Sequence, residues 1–232
     1  MHGPGLFEQE SVALQMYILN FHGLGEPVAL AGRSEACYWI DPSFFAAILE
    51  EVRDRSDLSI TFDDSFESDY TIALPLLKAA GITAKFFVVA DRVDKSGFLS
   101  AKQIQTLGAE GMTIGSHGMQ HRKWCDLNDR ALDEEIVDAR DRLEQITATR
   151  VAEAACPFGS YNRRVLQRLR QAKYDRVYTS DGGPADLNSW IQPRNTINRQ
   201  NDLNGVRMVI NQTWSRPKTA LHRLKLCAKR WR

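Results

Sequence analysis

The 232-residue sequence lacks the features that mark several classes of protein. Its four cysteines are scattered and form no CxxC pair, so neither a disulfide framework nor a cysteine zinc finger is predicted. No segment is long and apolar enough to predict a membrane span. The net charge is only +1, which gives no indication of a nucleic-acid partner. The first residues lack the basic start of a signal peptide, so we expect a cytoplasmic location.

Charge is uneven only towards the C-terminal end. From residue 216 to residue 232 there are seven Lys or Arg and no acid, and Leu221, Leu224 and Trp231 lie among them. As a helix, this basic tail could make peripheral contact with an anionic membrane surface. The alternative, which we favour, is a last helix that packs on the domain and keeps its cations in water. We therefore expect a single domain over residues 1–232, with the basic tail from about residue 216.

Apolar strand patterns alternate with helical patterns through most of the chain. The predicted strands end at Phe21, Phe62, Ala90, Ser116, Cys156 and Ser180. Pro42 begins a helical pattern for which Ser43 is a candidate N-cap, and Ser100 with Gln103 forms a candidate capping box. Repeated strand–helix units predict a parallel sheet with right-handed crossovers. In an α/β barrel of this kind, chemistry gathers where the strands end.

Polar side chains follow five of these predicted strands. In chain order they are His22, the pair Asp63 and Asp64, the pair His117 and His121, the segment Pro157-Phe158-Gly159, and Asp181. Each feature alone is common, because lone histidines are often structural and strand-terminal carboxylates often lie in turns. The carboxyl ends of parallel strands meet at one rim, so the sequence predicts that these groups converge.

The two adjacent carboxylates in LSITFDDSF need an explanation, because they repel each other after a buried strand. A turn or a helix N-terminus is one explanation. Another is that Asp64 joins His117 and His121, four residues apart in SHGMQH, as ligands of a divalent ion. Two His and one carboxylate leave positions open for water and substrate, as in catalytic sites. Asp63 would then be the general base; a purely structural metal site stays as an alternative that leaves Asp63 unexplained.

These motifs resemble those of the polysaccharide deacetylases of carbohydrate esterase family 4. TFDDS is similar to the family's TFDDG motif, SHGMQH to H-[ST]-x-x-H with Gly118 in place of Ser or Thr, and ACPFG to R-x-P-[FY]-G. The resemblance implies a distorted (β/α)7 barrel and metal-dependent removal of N- or O-acetyl groups from sugars. It implies the same roles for Asp63 as base and for Asp64, His117 and His121 as metal ligands. It also implies that the backbone N–H of Phe158, between Pro157 and Gly159, helps to stabilise the oxyanion.

The expected cofactor is therefore one divalent ion, Zn²⁺ first, with Co²⁺, Ni²⁺ or Mn²⁺ as alternatives. The expected partner is an acetylated carbohydrate, with N-acetyl favoured over O-acetyl. A second hypothesis belongs to a different class of protein: a degenerate glycan-binding protein that keeps the metal but not the turnover. Loss of the family's usual acid motif supports it, whereas the intact Asp63 argues against it.

Two departures from the family pattern lead to further expectations. Ala155 stands where the family often has an Arg that orients the base, and Arg194 in QPRNT is a candidate substitute. A surface ion pair is the alternative for Arg194. The C-terminal L-x-H motif of the general acid is missing, and we assign no such role to His222 in the basic tail. His22 could reach the rim and act in catalysis, although a structural role in the entry loop is the alternative.

Overall fold

A computed structural model describes residues 15–27 and 35–211, together with residues 224, 226–229 and 231 of the basic tail. Within these residues the strands are β1 Gln15–Phe21, β2 Leu58–Phe62, β3 Ala84–Val88, β4 Thr113–Ser116, β5 Glu153–Ala155, β6 Arg176–Thr179, β7 Ala185–Asp186, β8 Ile191–Pro193 and β9 Asn195–Thr196. The α-helices are α1 Pro42–Val52, α2 Leu74–Ala80, α3 Ala101–Ala109, α4 Asp129–Asp133, α5 Ala139–Thr147, α6 Arg163–Gln171 and α7 Leu203–Ile210. Two π-helical turns, Asp69–Ala73 and Glu134–Asp138, and short 3₁₀ turns at Ala36–Tyr38, Ala90–Arg92, Trp124–Asp126 and Pro157–Gly159 complete the described elements.

The strands form a barrel. Its seventh parallel position is filled by two short strands, β8 and β9. Strands β1 to β6 are parallel neighbours in chain order. Strand β8 continues this order beside β6, while β9 pairs in parallel with β1. Only Arg194 separates β8 from β9, so the segment 191–196 lies between β6 and β1 and joins the two edges. The predicted distorted (β/α)7 barrel is confirmed; β7 adds an antiparallel pair to β1.

The helix starts follow capping chemistry, with one correction. The predicted capping box of α3 is confirmed, because Ser100 Oγ accepts from Gln103 N and Gln103 Oε1 accepts from Ser100 N. The predicted N-cap Ser43 of α1 is wrong. Asp41 is the cap, and its carboxylate accepts from Ser43 N at 2.7 Å. Pro42 occupies the first helical position, where its missing N–H costs nothing, so the cap lies one residue earlier.

The helical segment after β4 is divided into three parts. Helix α4 runs into the π-helical turn Glu134–Asp138, which runs into α5. This turn places Glu135 in the interior, with 1% of its surface exposed. Strands β7 to β9 and helix α7 were not predicted from the sequence. The strands have only two or three residues, which is too short for a periodic pattern.

Large apolar side chains fill the space around the first strands. Phe21, Phe45, Phe62 and Phe86 make a chain of ring contacts with centroids 4.9 to 5.5 Å apart. Such a core fixes the strand ends, and therefore the rim. In the described part of the chain, every helix is too short or too polar to cross a bilayer.

Part of the basic tail can be compared with its prediction. The expectations for Leu221 and His222 lie outside the described residues. Leu224 and Trp231 are mostly exposed, although Arg163 lies over the ring of Trp231, with its guanidinium carbon 5.4 Å from the ring centroid. Lys229 contacts the barrel rim and is described with the site below.

Candidate active site

The end of β2 separates its two carboxylates by a change of backbone conformation. Asp63 continues the backbone pairing of β2 with β1, because its N–H donates to Phe21 O. Asp64 and Ser65 then adopt left-handed conformations with φ of 75° and 62°. Asp tolerates this region better than most residues, and Ser65 Oγ holds the turn by accepting from Val89 N at 2.7 Å. The two side chains therefore meet different partners.

Asp63 is held by a buried guanidinium. Arg194 Nη1 and Nη2 each donate to one carboxylate oxygen of Asp63 at 2.7 Å. Arg194 and Asp63 are only 1% and 2% exposed, so the surface ion pair considered as the alternative for Arg194 is wrong. Burial acts to raise the pKa of Asp63, but the charge of Arg194 and its two hydrogen bonds outweigh it and leave the pKa well below its usual range. The carboxylate is thus ionised and fixed in orientation.

Two further polar residues complete this network. Asn20 Nδ2 donates to Asp63 Oδ2 at 3.0 Å, while Asn20 Oδ1 accepts from Arg194 Nη1 at 2.8 Å and from Thr61 Oγ1 at 2.6 Å. Asn20 and Thr61 are fully buried, and neither was predicted from the sequence. The available signal was a polar side chain inside each of two apolar strands, since buried polar groups need partners.

Asp64, His117 and His121 come together as the sequence predicts. One potential ligand atom from each lies within 4.8 Å of the others. Asp64 Oδ1 is 3.1 Å from His121 Nε2 and 3.7 Å from His117 Nε2. This buried oxygen also has Arg92 Nη1 at 3.4 Å as an ion-pair contact, but it accepts no hydrogen bond of acceptable geometry from the described residues. A buried carboxylate oxygen without a hydrogen bond is costly unless another group satisfies it.

The two imidazoles have the properties of metal ligands. His117 Nδ1 lies 2.9 Å from Ala155 O, a hydrogen bond that places the proton on Nδ1 and leaves the lone pair on Nε2. Burial lowers the pKa of His121 to about 4 and also lowers the pKa of His117. Both rings are therefore neutral near pH 7. The oxygen of Asp64 and these nitrogens form a donor set that fits one divalent cation.

A cavity of about 220 Å³ lies above these groups. Asp63, Asp64, both metal-ligand candidates of the β4 loop, and His22 all line it. The His22 ring stacks on Tyr38 with a centroid distance of 4.8 Å. Its buried Nδ1 has no hydrogen-bond partner in the described ranges. His22 therefore lies in the pocket with the proposed base, and its catalytic role stays a prediction.

The segment Pro157–Gly159 forms the next part of the rim. Phe158 has φ of 56°, is 56% exposed and has its ring 4.4 Å from that of His121. Lys229 of the tail donates to Gly159 O at 2.9 Å and to Asp181 Oδ1 at 2.7 Å. Asp181 is thus engaged in holding this loop. The oxyanion role of the Phe158 N–H stays a prediction.

The solved structures to which this fold is similar include deacetylases. A deacetylase of Streptococcus pyogenes, PplD, solved with acetate, has a TM-score of 0.76 at 20% identity and matches 84% of this chain and 98% of its own. A polysaccharide deacetylase from Bacillus cereus has a TM-score of 0.75 at 18% identity, over 84% of this chain and 69% of its own. IcaB from Ammonifex degensii has a TM-score of 0.67 at 20% identity, over 80% of this chain and 93% of its own. At these identities, the likeness establishes the fold.

The sequence comparisons point to the same group of proteins. The protein named "Putative polysaccharide deacetylase YxkH" from Bacillus subtilis (strain 168) is 25% identical over 54% of this chain and 45% of its own length. "Putative polysaccharide deacetylase YheN" of the same strain is 30% identical over 50% of this chain and 40% of its own. The chain thus spans less than half the length of these curated relatives.

The family model for polysaccharide deacetylases matches residues 51–177, which is more than half of the chain and includes both ligand motifs. Fold, motifs and this match agree, and the chain belongs to the polysaccharide deacetylase family.

Proposed function

We propose that this chain is one catalytic domain that hydrolyses acetyl groups, N-acetyl in preference to O-acetyl, on a glycan or glycan precursor, with a divalent ion as cofactor. One observation carries the proposal. Asp63 is locked by Arg194 beside an Asp64 oxygen that faces two imidazole nitrogens and accepts no hydrogen bond from the described residues. This arrangement supports a fixed base next to a cation site.

The cation would be held by Asp64, His117 and His121. A divalent ion bound there supplies Lewis-acid polarisation of the acetyl carbonyl and activation of water. Zn²⁺ suits two imidazoles and one carboxylate, and Co²⁺, Ni²⁺ and Mn²⁺ are compatible alternatives. The three protein ligands leave room in the set for water and substrate, which favours a catalytic site over a closed structural one.

The residues around the cavity divide the remaining chemistry among them. Asp63 accepts a proton from water as the water oxygen bonds to the acetyl carbon. The backbone N–H of Phe158 donates to the carbonyl oxygen as negative charge develops on it. His22 donates a proton to the sugar nitrogen as the C–N bond breaks, which releases acetate and a free amine. Asp63 and His22 then exchange their protons with solvent.

The geometry favours this function over the degenerate glycan-binding alternative. That hypothesis rests on the missing C-terminal acid motif, and His22 in the cavity supplies a candidate proton donor from another part of the chain. A binding protein would also have no need of a buried carboxylate kept ionised by a bidentate Arg194. Burial of such a pair is expensive, so its presence supports chemistry at Asp63.

The test measures acetate release from an N-acetylated and an O-acetylated sugar oligomer. The protein is assayed after treatment with a chelator and again after adding Zn²⁺. We expect turnover only with metal, and faster turnover on the N-acetyl substrate. Asp63→Asn is the matched inactive control. Metal-loaded protein that binds the oligomer but releases no acetate above this control would instead support the binding function.

A further inference from the structure

The loop after β4 carries both imidazoles of the proposed metal site in an unusual backbone conformation. Gly118 has φ of +85° and His121 has φ of 58°. A non-glycine residue in the left-handed region is strained and persists only when its surroundings hold it. One side of the loop is held by the 3₁₀ turn Ala90–Arg92 that follows β3, because Gly118 O and Met119 O accept from Ala90 N and Asp91 N at 3.0 and 2.9 Å.

The other side of the loop is held by one buried carboxylate. Glu135 Oε2 accepts from Met119 N at 3.1 Å and from Trp124 Nε1 at 3.3 Å, and Oε1 accepts from Gln120 N at 3.0 Å. Burial acts to raise the pKa of Glu135, and the three N–H donors act in the opposite direction. Hydrogen bonds to a carboxylate are among the stronger ones in proteins. Glu135 therefore fixes the residues directly between the two imidazoles.

The helix that carries Glu135 is distorted at this point. Glu135 lies in the π-helical turn Glu134–Asp138, between α4 and α5. A π turn adds a residue to the helical repeat and changes the direction of the side chains, and such turns are frequent at functional sites. Glu134, its neighbour, faces solvent and pairs with Arg130 at 3.4 Å. The turn thus aims one of two adjacent glutamates at the loop and the other at water.

Gly118 leaves room for this carboxylate. A Cβ built on Gly118 would lie 2.3 Å from Glu135 Oε2, far inside van der Waals contact. A side chain at residue 118 and a carboxylate at this place exclude each other. This gives a physical reason for Gly118 in SHGMQH, where the similar motif has Ser or Thr.

We propose that Glu135 is a positioning residue for the metal centre. It sets the spacing of His117 and His121 through the backbone of Met119 and Gln120, and Gly118 is the residue that admits it. The inference rests on the proposed function, because it concerns the same cation site. It adds a determinant of metal affinity outside the ligand set.

The first test is Glu135→Gln, with Glu134→Gln as the matched control from the same turn. The amide keeps the shape but points an NH₂ group at an N–H donor. We expect Zn²⁺ and Co²⁺ affinity to fall by about 10- to 100-fold, as for other groups that orient metal ligands. The control should keep full affinity. Affinity is measured by competition with a chelator, and the visible spectrum of bound Co²⁺ reports the geometry of the ligands.

The second test reaches the same contact from the loop. Gly118→Ala should weaken metal binding, because the new Cβ displaces Glu135 or the loop. The matched control is Gly111→Ala, which has a similar φ of +82° but no atom within 4 Å of its Cβ. Comparing these two variants separates the effect of the clash with Glu135 from the effect of a strained backbone. The comparison tests the inference even if Glu135→Gln folds poorly.

Two results overturn the inference. Equal metal affinity in Glu135→Gln and Glu134→Gln, with an unchanged Co²⁺ spectrum, means that Glu135 does not position the ligands. Equal affinity in Gly118→Ala and Gly111→Ala means the same. Absence of Zn²⁺ and Co²⁺ binding in the unmodified protein is a different failure, because it overturns the proposed function and this inference with it.

Discussion

Asp63 and Asp64 are sequence neighbours with almost equal burial, 2% and 3% exposed, yet their surroundings differ in kind. Both oxygens of Asp63 accept hydrogen bonds from Arg194, and Asn20 adds a third. Oδ1 of Asp64 accepts none from the described residues and faces two neutral imidazoles. The chain itself satisfies both oxygens of one carboxylate, whereas Oδ1 of the other has an ion-pair contact with Arg92 Nη1 at 3.4 Å but no hydrogen bond within the described part of the chain, which leaves it available to a cation.

This difference comes from the backbone as much as from the side chains. Asp63 keeps a backbone hydrogen bond to β1, and its side chain meets Arg194 at the seventh position of the barrel. Asp64, with φ of 75°, turns towards the β4 loop. Two like charges side by side therefore do not compete for one partner. The comparison implies that the two carboxylates can be removed one at a time with different consequences.

The largest expected effect is on turnover. Asp63→Asn removes the proposed base, and we expect kcat to fall by about 10²- to 10⁴-fold with metal content unchanged. Asp64→Asn is the matched variant, and it should lose metal together with activity. Acetate release and metal content are measured on the same preparations. If both variants lose metal, Asp63 is a ligand and the division between the two carboxylates is wrong.

The next prediction concerns stability. Arg194→Met leaves Asp63 buried without its cation, so the free energy of unfolding should fall by about 3–5 kcal/mol. Arg207→Met, which breaks an exposed pair with Glu51, should change stability little. Urea denaturation provides the measurement.

The double variant Asp63→Asn/Arg194→Met sharpens the same point. It removes both charges, so it should be more stable than Arg194→Met alone. If the double variant loses as much unfolding free energy as the two single variants together, Asp63 and Arg194 are not energetically coupled.

A smaller effect on rate is expected at His22. His22→Asn should lower kcat by about 10²-fold, the lower end of the range for a proton donor, and leave metal content unchanged. Tyr38→Leu is the control, because it removes the ring that stacks on His22 and keeps the imidazole. Should both variants lose the same amount of activity, His22 acts through packing and the proton donor is another group.

The mildest test uses pH on the metal-free protein. The pKa of His121 is about 4 in the folded state, below the value of about 6.5 for a free His. The unfolded state therefore binds more protons between these values, and stability should fall as pH is lowered from about 6.5 to about 4, with a slope from this group of at most about 1.4 kcal/mol per pH unit. His121→Gln should flatten this part of the profile. An equally steep profile in the variant would assign the effect to other groups.

From the amino-acid sequence alone, alternating strand and helix patterns predicted a parallel sheet and the residues at its strand ends, and the motif resemblance predicted the (β/α)7 barrel. Strands β1 to β6 have apolar patterns long enough to recognise, and the polar groups that follow them stand next to those patterns in the chain. This local order identified Asp63, Asp64, His117 and His121. Strands β7 to β9 escaped prediction because two or three residues carry no periodicity.

Only the tertiary structure decided how these residues are supported. Arg194 stands 131 residues after Asp63 and meets it because segment 191–196 closes the barrel between β6 and β1. Asn20 and Glu135, unlike Arg194, were not selected from the sequence, since their roles depend on contacts across strands and between a helix and a loop. Local patterns specify which strand ends carry chemistry. The partners that hold each group in place are set by long-range packing, which no local pattern records.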